Sequence, residues 1–161
     1  CWPWVFENKV TLIGDAAHAI VPFYGQGMNC GFEDCVVLDE LVTNYGDDWD
    51  TILTQFQELR KPDGDAIADL AIMNFIEMRD KTADSSFLLQ KKIEARFSSK
   101  YPEKWTPLYS MVTYSPQLRY STALSEGTKQ EKIMQSIMKI PNIEKEWDSL
   151  EVENAILAQL S

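Results

Sequence analysis

Histidine and cysteine are nearly missing from this sequence: His18 stands alone, and the three cysteines, Cys1, Cys30 and Cys35, are an odd number at no metal-like spacing. A disulfide scaffold and a zinc site are thereby excluded, although the lone imidazole could still serve as an acid or base with a partner built around it. Positive charge is scarce too, with 15 basic against 25 acidic residues, a net charge of −10 and a pI near 4.5. A nucleic-acid backbone and an anionic membrane surface are poor partners for such a chain; a neutral, zwitterionic or cofactor-held ligand suits it better. No apolar run approaches the roughly 20 residues that span a bilayer, and the stretch from Glu131 onward alternates charges with short apolar clusters. What is present is 45% apolar and 11% aromatic residues in a chain of 161, enough to bury a real core. There is no initiator Met, and the opening Cys1-Trp2-Pro3-Trp4-Val5-Phe6 is so apolar that the chain is expected to be a piece of something larger.

Lys9 to Ile13 is a β-branched and aliphatic run closed by Gly14-Asp15, which predicts a buried strand feeding a functional turn. Ala16 to Gln26 reads as a loop of small residues. Met28, Phe32, Cys35, Val36, Leu38, Leu41 and Val42 then recur at helical spacing and predict a helix over 27–42. A second helix, capped by Asp50 or Thr51, is expected to stop at Arg60 because Pro62 follows, and a third to run from Asp65 to Lys81. Ser85 or Ser86 to Phe97 is helical in pattern. Tyr101 to Tyr114, with two prolines and a Val/Thr/Tyr-rich stretch, predicts an extended connection. Helical patterns resume over 120–140 and from Ile143 or Trp147 to Leu160. The strand needs neighbours for its backbone hydrogen bonds, and these are expected in sequence preceding Cys1.

The most informative stretch is Leu12 to Gly31, which carries Gly14-Asp15-Ala16-Ala17-His18, then Pro22, then Gly25-Gln26-Gly27-Met28-Asn29. Glycines at a helix start leave free backbone N–H groups at the positive end of the helix, where an anionic or electron-rich ligand atom is favoured. The usual dinucleotide fingerprint follows directly on its strand, whereas here a long loop intervenes. Taken from the residues alone, two readings stand open: a ligand loop in which Asp15 holds a polyol and the Gly25–Asn29 backbone a planar head group, or glycines that only permit close packing beside an Asp that caps a turn.

The order of these residues closely resembles the second flavin-binding motif of the class A flavoprotein aromatic hydroxylases, Gly-Asp-Ala-Ala-His, then Pro, then Gly-Gln-Gly-x-Asn, then an acidic helix. The variant Ala19 to Asp34, with Phe23 where most relatives carry a second Pro, is most similar to the kynurenine 3-monooxygenase branch. The likeness continues through Arg60-Lys61-Pro62-Asp63, Asn74 to Met78, Phe87-Leu88-Leu89 and Pro107 to Thr113, and fades after about residue 125.

The resemblance implies a chain that is mainly α as it stands: residues 1–45 supply the C-terminal strand, loop and helix of an α/β FAD-binding domain (Rossmann-like, GR2-type), and residues 46–161 a helical substrate lid and C-terminal region. It implies FAD held by Gly14, Asp15, Pro22, Gly25, Gln26, Gly27, Met28 and Asn29, with Asp15 on the ribityl and pyrophosphate region and the Gly25–Asn29 backbone against the flavin ring. NADPH reduces the flavin, O₂ adds to form a C4a-hydroperoxide, and L-kynurenine becomes 3-hydroxykynurenine; the chemistry is the cofactor's, so no residue is assigned as catalytic.

Within the same resemblance, Asn74 and Tyr109 hold the carboxylate end of the substrate, Glu77 faces its ammonium, and Phe23 and Tyr24 pack on its ring. An amide and a phenol suit a carboxylate because they bind it without burying a cation. By spacing alone, Asn74 and Glu77 more often make interhelical hydrogen bonds, and Tyr109 is an ordinary core aromatic with a polar tip. His18 is expected to be structural. The family's first FAD fingerprint and its substrate Arg have no counterpart here, so the chain by itself is expected to be inactive and to need the N-terminal part of the same enzyme as its partner. A bacterial cytoplasmic enzyme without a membrane anchor is expected, and a homodimer is left open. The alternatives are a class A hydroxylase for another aromatic substrate and a non-catalytic helical interaction module.

Overall fold

The computed structural model describes residues 1–160 and divides the chain into two compact units, Cys1–Phe75 with Arg119–Ser121, and Ile76–Leu118 with Thr122 onward. Phe75 lies well beyond residue 45, where the sequence places the end of the flavin-binding part.

The first unit opens with a small hairpin. β1 (Val5–Phe6) pairs antiparallel with β2 (Val10–Thr11), Val5 opposite Thr11 and Phe6 opposite Val10. Glu7 and Asn8 turn the chain at positive φ, 47° and 51°, and Lys9 N–H donates to Phe6 C=O at 3.1 Å. The expected strand over 9–13 is therefore shorter than its sequence suggests, and within this chain it pairs with β1, four residues upstream. It is not buried either: Val10, Leu12 and Ile13 are all exposed. Local turn chemistry wins here, because a two-stranded ribbon needs only a tight turn to pair.

Three helices follow. α1 (Asp15–His18) is a single turn inside the stretch read as a loop, and α2 (Gly27–Tyr45) runs three residues past the expected end. Gly46, at φ 61°, stops α2 and returns its N–H to Val42 C=O at 2.8 Å. α3 (Trp49–Ile76) is one helix of 28 residues, not two, with Pro62 inside it. Asp48, rather than Asp50 or Thr51, caps it, accepting from Thr51 N at 3.2 Å and Thr51 Oγ1 at 2.7 Å. An interior proline costs about 3 kcal/mol through its missing N–H and its ring. Tertiary packing offsets that cost, because Phe56, Arg60, Asp63, Gly64, Ile67 and Leu70 on either side of Pro62 are all buried. The core of this unit gathers Trp4, Ala17, Leu41, Ile52, Leu53 and Phe56, with the Trp4 and Phe56 rings 6.4 Å apart.

The second unit begins with a π-helical turn, Glu77–Lys81, so the helix expected to reach Lys81 changes its winding at Glu77. α4 (Ser85–Lys100) is capped by Asp84, which accepts from Ser86 N at 2.7 Å and Phe87 N at 3.0 Å. α5 (Leu108–Tyr114) corrects the extended connection expected there: Pro107 sits at its N-cap, where no N–H is needed, and Met111 and Val112 are buried. α6 (Tyr120–Ile137), α7 (Ile143–Glu146) and α8 (Leu150–Gln159) complete the chain. Ile93, Phe97, Trp105, Met134, Ile137, Val152 and Ile156 form the core, and Phe97 meets Trp105 edge-on at 5.6 Å. α5 presses on α6 at Gly127, where a Cβ would stand 2.7 Å from Leu108 Cδ1. Buried Glu153 accepts from Arg96 and Lys100, so α8 is tied to α4 by charge as well as by apolar contact. Among the described residues, no helix is long and apolar enough to cross a membrane.

Candidate functional site

The first unit holds the loop from Gly14 to Asn29 and Asn74 together, whereas Glu77 and Tyr109 belong to the second. Gly14, at φ 57° and ψ −141°, turns the chain from the hairpin into α1, and its carbonyl accepts from Ala17 N and His18 N at 2.9 Å. The positive φ suits glycine. Asp15, the first residue of α1, projects its carboxylate from an exposed position. Gly25 makes the second turn at φ 68°, and Gln26 leads into α2.

The first turn of α2 carries no acidic side chain, so no carboxylate of that turn offsets the positive end of the 19-residue helix. A Cβ built at Gly14, Gly25 or Gly27 would meet nothing within 4 Å, which leaves open backbone on the face of the loop. Buried Gln26 is fixed from both sides, its Oε1 accepting from Asn29 Nδ2 at 2.8 Å and from Tyr120 Oη at 3.2 Å. Burial, with Glu33 and Cys30 nearby, pushes the Tyr120 phenol far above its ordinary value, so it keeps the proton it donates. Met28 and Asn29 are exposed on the opening turn of α2.

The middle of the loop is tied to α3. Asn74 Nδ2 donates to Phe23 C=O at 2.8 Å, and the Phe23 ring lies 4.4 Å from that of Phe75. Phe23 and Tyr24 are half-buried, and Pro22 is exposed. Asn74 thus bonds the loop rather than a neighbouring helix, with one N–H used of the two donors and one acceptor an amide offers. In the second unit, Glu77 opens the π-helical turn half-buried, and Tyr109 is exposed on α5 with its ring 6.1 Å from Tyr114.

Beneath the loop lies a buried ionic cluster of which the sequence reading gave a role only to His18, as a structural residue. Asp34 of α2 accepts from Gly14 N at 2.8 Å, His18 Nε2 at 2.6 Å and Arg60 Nε at 2.7 Å. Arg60 also reaches Glu33 at 3.1 Å, Asp63 at 3.4 Å and the Cys30 carbonyl at 3.2 Å. Asp63 in turn accepts from Arg119 Nε at 2.9 Å and Ser121 N at 3.1 Å. Burial opposes charge on His18, but the hydrogen bonds to Asp34 and Cys30 outweigh it and raise the imidazole from 6.5 to about 10. Burial likewise opposes the Asp34 carboxylate, and His18, Arg60 and the Gly14 amide together hold it below its ordinary value.

His18, Cys30 and Asp34 bring three ligand-type atoms within 4.8 Å of one another. Arg60 already supplies the cation there, with Nη2 only 3.4 Å from Cys30 Sγ, and a metal ion would meet that charge. The signal for the cluster was present in the sequence: Asp34 shares a helix face with Cys30 and Leu41, and Arg60 and Asp63 share one with Phe56, Ile67 and Leu70. A charged residue on an apolar stripe is buried only when paired.

An FAD binding domain family matches residues 4–71, which span the hairpin, the loop, α2 and most of α3. The chain is 58% identical over all of its 161 residues to a kynurenine 3-monooxygenase of Flavobacterium psychrophilum, 36% of whose length it covers. It is 56% identical over 158 residues to that of Christiangramia forsetii, covering 98% of this chain and 35% of the relative. The Anopheles gambiae enzyme is 48% identical over 138 residues, 86% of this chain and 28% of its own. The chain thus spans about a third of the length of these curated relatives. Over the stretch it represents, the chain is similar along its whole length to proteins named kynurenine 3-monooxygenase and matches an FAD binding domain at residues 4–71.

Proposed function

We propose that the protein containing this chain hydroxylates L-kynurenine to 3-hydroxykynurenine with FAD, NADPH and O₂. The observation that carries the reading is the loop itself. It presents an exposed carboxylate at Asp15 and, behind two open glycines, a helix N-terminus with no carboxylate in its first turn, an arrangement suited to a polyol chain and an electron-rich ring edge. Relatives named for kynurenine hydroxylation supply the substrate class.

FAD, when bound, supplies the activation of O₂ that no side chain could provide. The residues of this chain have other tasks. Gly14 and Asp15 receive the ribityl and pyrophosphate region, and the backbone of Pro22 and Gly25–Asn29 lies along the ring, with the α2 N-terminus favouring negative charge on it. Phe23 and Tyr24 pack on the substrate ring and keep water away. Asn74 and Tyr109 hold the carboxylate of kynurenine and Glu77 its ammonium; the hydrogen bond from Asn74 to Phe23 leaves the amide one further N–H for that purpose. Holding the ring carbon that reacts is the protein's main contribution to rate.

Residues 1–45 are read as the end of a Rossmann-like, GR2-type FAD domain and 46–161 as the helical lid and C-terminal region. The sequence holds no Gly-x-Gly-x-x-Gly fingerprint, so the 161-residue chain alone neither holds FAD tightly nor turns over. The test is NADPH oxidation by the full-length gene product with and without L-kynurenine, the product identified by chromatography. Stimulation with 3-hydroxykynurenine formed supports the reading. A flavoprotein that phenols or aromatic acids stimulate, and kynurenine does not, overturns the substrate.

A further inference from the structure

We propose that Asp34 is the positioning residue of the flavin loop: its carboxylate, braced by the His18 imidazolium and the Arg60 guanidinium, fixes the Gly14 amide and so the place of Asp15. The inference rests on the assignment of that loop to FAD. Gly14 N and His18 Nε2 converge on the same atom, Asp34 Oδ2, at 2.8 and 2.6 Å. One buried oxygen therefore staples α1 on both sides of Asp15. A Cβ at Gly14 would meet nothing within 4 Å, and on the side toward α2 a Cβ at Gly31 would stand only 3.6 Å from the Gly14 Cα, so the turn rests on a small-residue contact and takes its directional hold from Asp34.

The other oxygen, Oδ1, accepts from Arg60 Nε at 2.7 Å, and the side chains of His18, Asp34 and Arg60 are at most 5% exposed. Such a carboxylate cannot be replaced by an amide without cost: the –NH₂ of an Asn would face either the Arg60 N–H or the Gly14 N–H, donor against donor. The imidazole is held through Nε2 alone, because its Nδ1 is buried and has no hydrogen-bond partner among the described residues. Around it, Asp34 and the Cys30 thiol come from α2, Arg60 and behind it Asp63 from α3, and the Trp4 ring lies 5.4 Å away. Glu33 and Arg119 complete the outer ring of charge by binding Arg60 and Asp63. Gly64 leaves room for His18, since a Cβ there would stand 3.2 Å from His18 Cβ.

His18→Gln keeps an N–H donor toward Asp34 but removes the positive charge, and Asp34→Asn removes the negative one. Asp39→Asn, exposed on α2 and outside the cluster, is the control. In the full-length protein, FAD dissociation constants are measured from pH 6 to 10.5, together with the ¹⁵N imidazole resonance that disappears in His18→Gln. Asp34→Asn and His18→Gln are each expected to weaken FAD binding about tenfold or more, as for loss of a charge-assisted hydrogen bond, with Asp39→Asn close to wild type. Wild-type affinity is expected to stay level through neutral pH and to fall as the imidazolium deprotonates, and His18→Gln to abolish that fall.

Should Asp34→Asn not fold, His18→Gln carries the test alone. A His18→Gln protein that binds FAD as tightly as wild type, or that keeps the alkaline fall, overturns the proposal. The two failures separate: a wild type that binds no FAD removes the flavin reading and this proposal with it, whereas a wild type that binds FAD beside an equally tight His18→Gln removes only the role of the cluster.

Discussion

Asn74 and Phe23, 51 positions apart in sequence, are joined by a 2.8 Å hydrogen bond from a side-chain amide to a backbone carbonyl. The residue proposed to hold the substrate thus also holds the loop that faces the flavin. Asn74→Ala is expected to raise KM for L-kynurenine about tenfold, as for loss of one hydrogen bond to a charged group, and to increase NADPH oxidation that yields no hydroxylated product. Steady-state kinetics with product quantified against NADPH consumed checks both. Asn74→Asp, which can only accept when ionised, is expected to be worse than Ala, because it repels both the Phe23 carbonyl and the substrate carboxylate.

The ionic cluster sets the pH range of stability. His18 titrates near 10 in the fold against 6.5 when unfolded, so its stabilisation is full below pH 6.5 and is lost as pH rises through about 10. Asp34 is lowered from 3.8, so its contribution is present above that value and disappears as pH falls below it. Thermal unfolding from pH 3 to 11 is expected to show a plateau with both limbs, and His18→Gln to flatten the alkaline one.

Gly127→Ala is expected to destabilise the protein by about 1–3 kcal/mol, the usual cost of overpacking, although alanine is the better helix former. The new methyl would stand 2.7 Å from Leu108 Cδ1 and 3.2 Å from its Cγ, so more than the tip of that side chain must move. A lowered Tm that Leu108→Ala partly restores in the double variant checks the cause.

Helix positions were the most legible feature of the sequence, because the apolar stripes of α2, α4 and α6 repeat at 3.6-residue spacing over long stretches. Pro62 misled because one residue's propensity was set against the burial of a whole helix face, from Phe56 to Leu70. The segment 101–114 misled because Val112, Thr113 and Tyr114 favour strands in isolation, whereas the buried Met111 and Val112 settle the helix. The residues proposed for the flavin loop were picked out by their order along the chain. Beneath them, helical spacing marks Asp34, Arg60 and Asp63 as charges on buried faces, but that Asp34 of α2 pairs with Arg60 of α3, and Asp63 with Arg119 just before α6, emerges only in the fold.

Asp15 carries the central claim, and the most direct measurement is FAD titration of full-length apoprotein, wild type against Asp15→Ala, followed by flavin absorbance and fluorescence. Saturable binding in the wild type, weakened at least about tenfold in Asp15→Ala by the loss of a charged acceptor while both proteins unfold at similar temperatures, is the predicted result. Equal affinity in the two proteins would contradict the account.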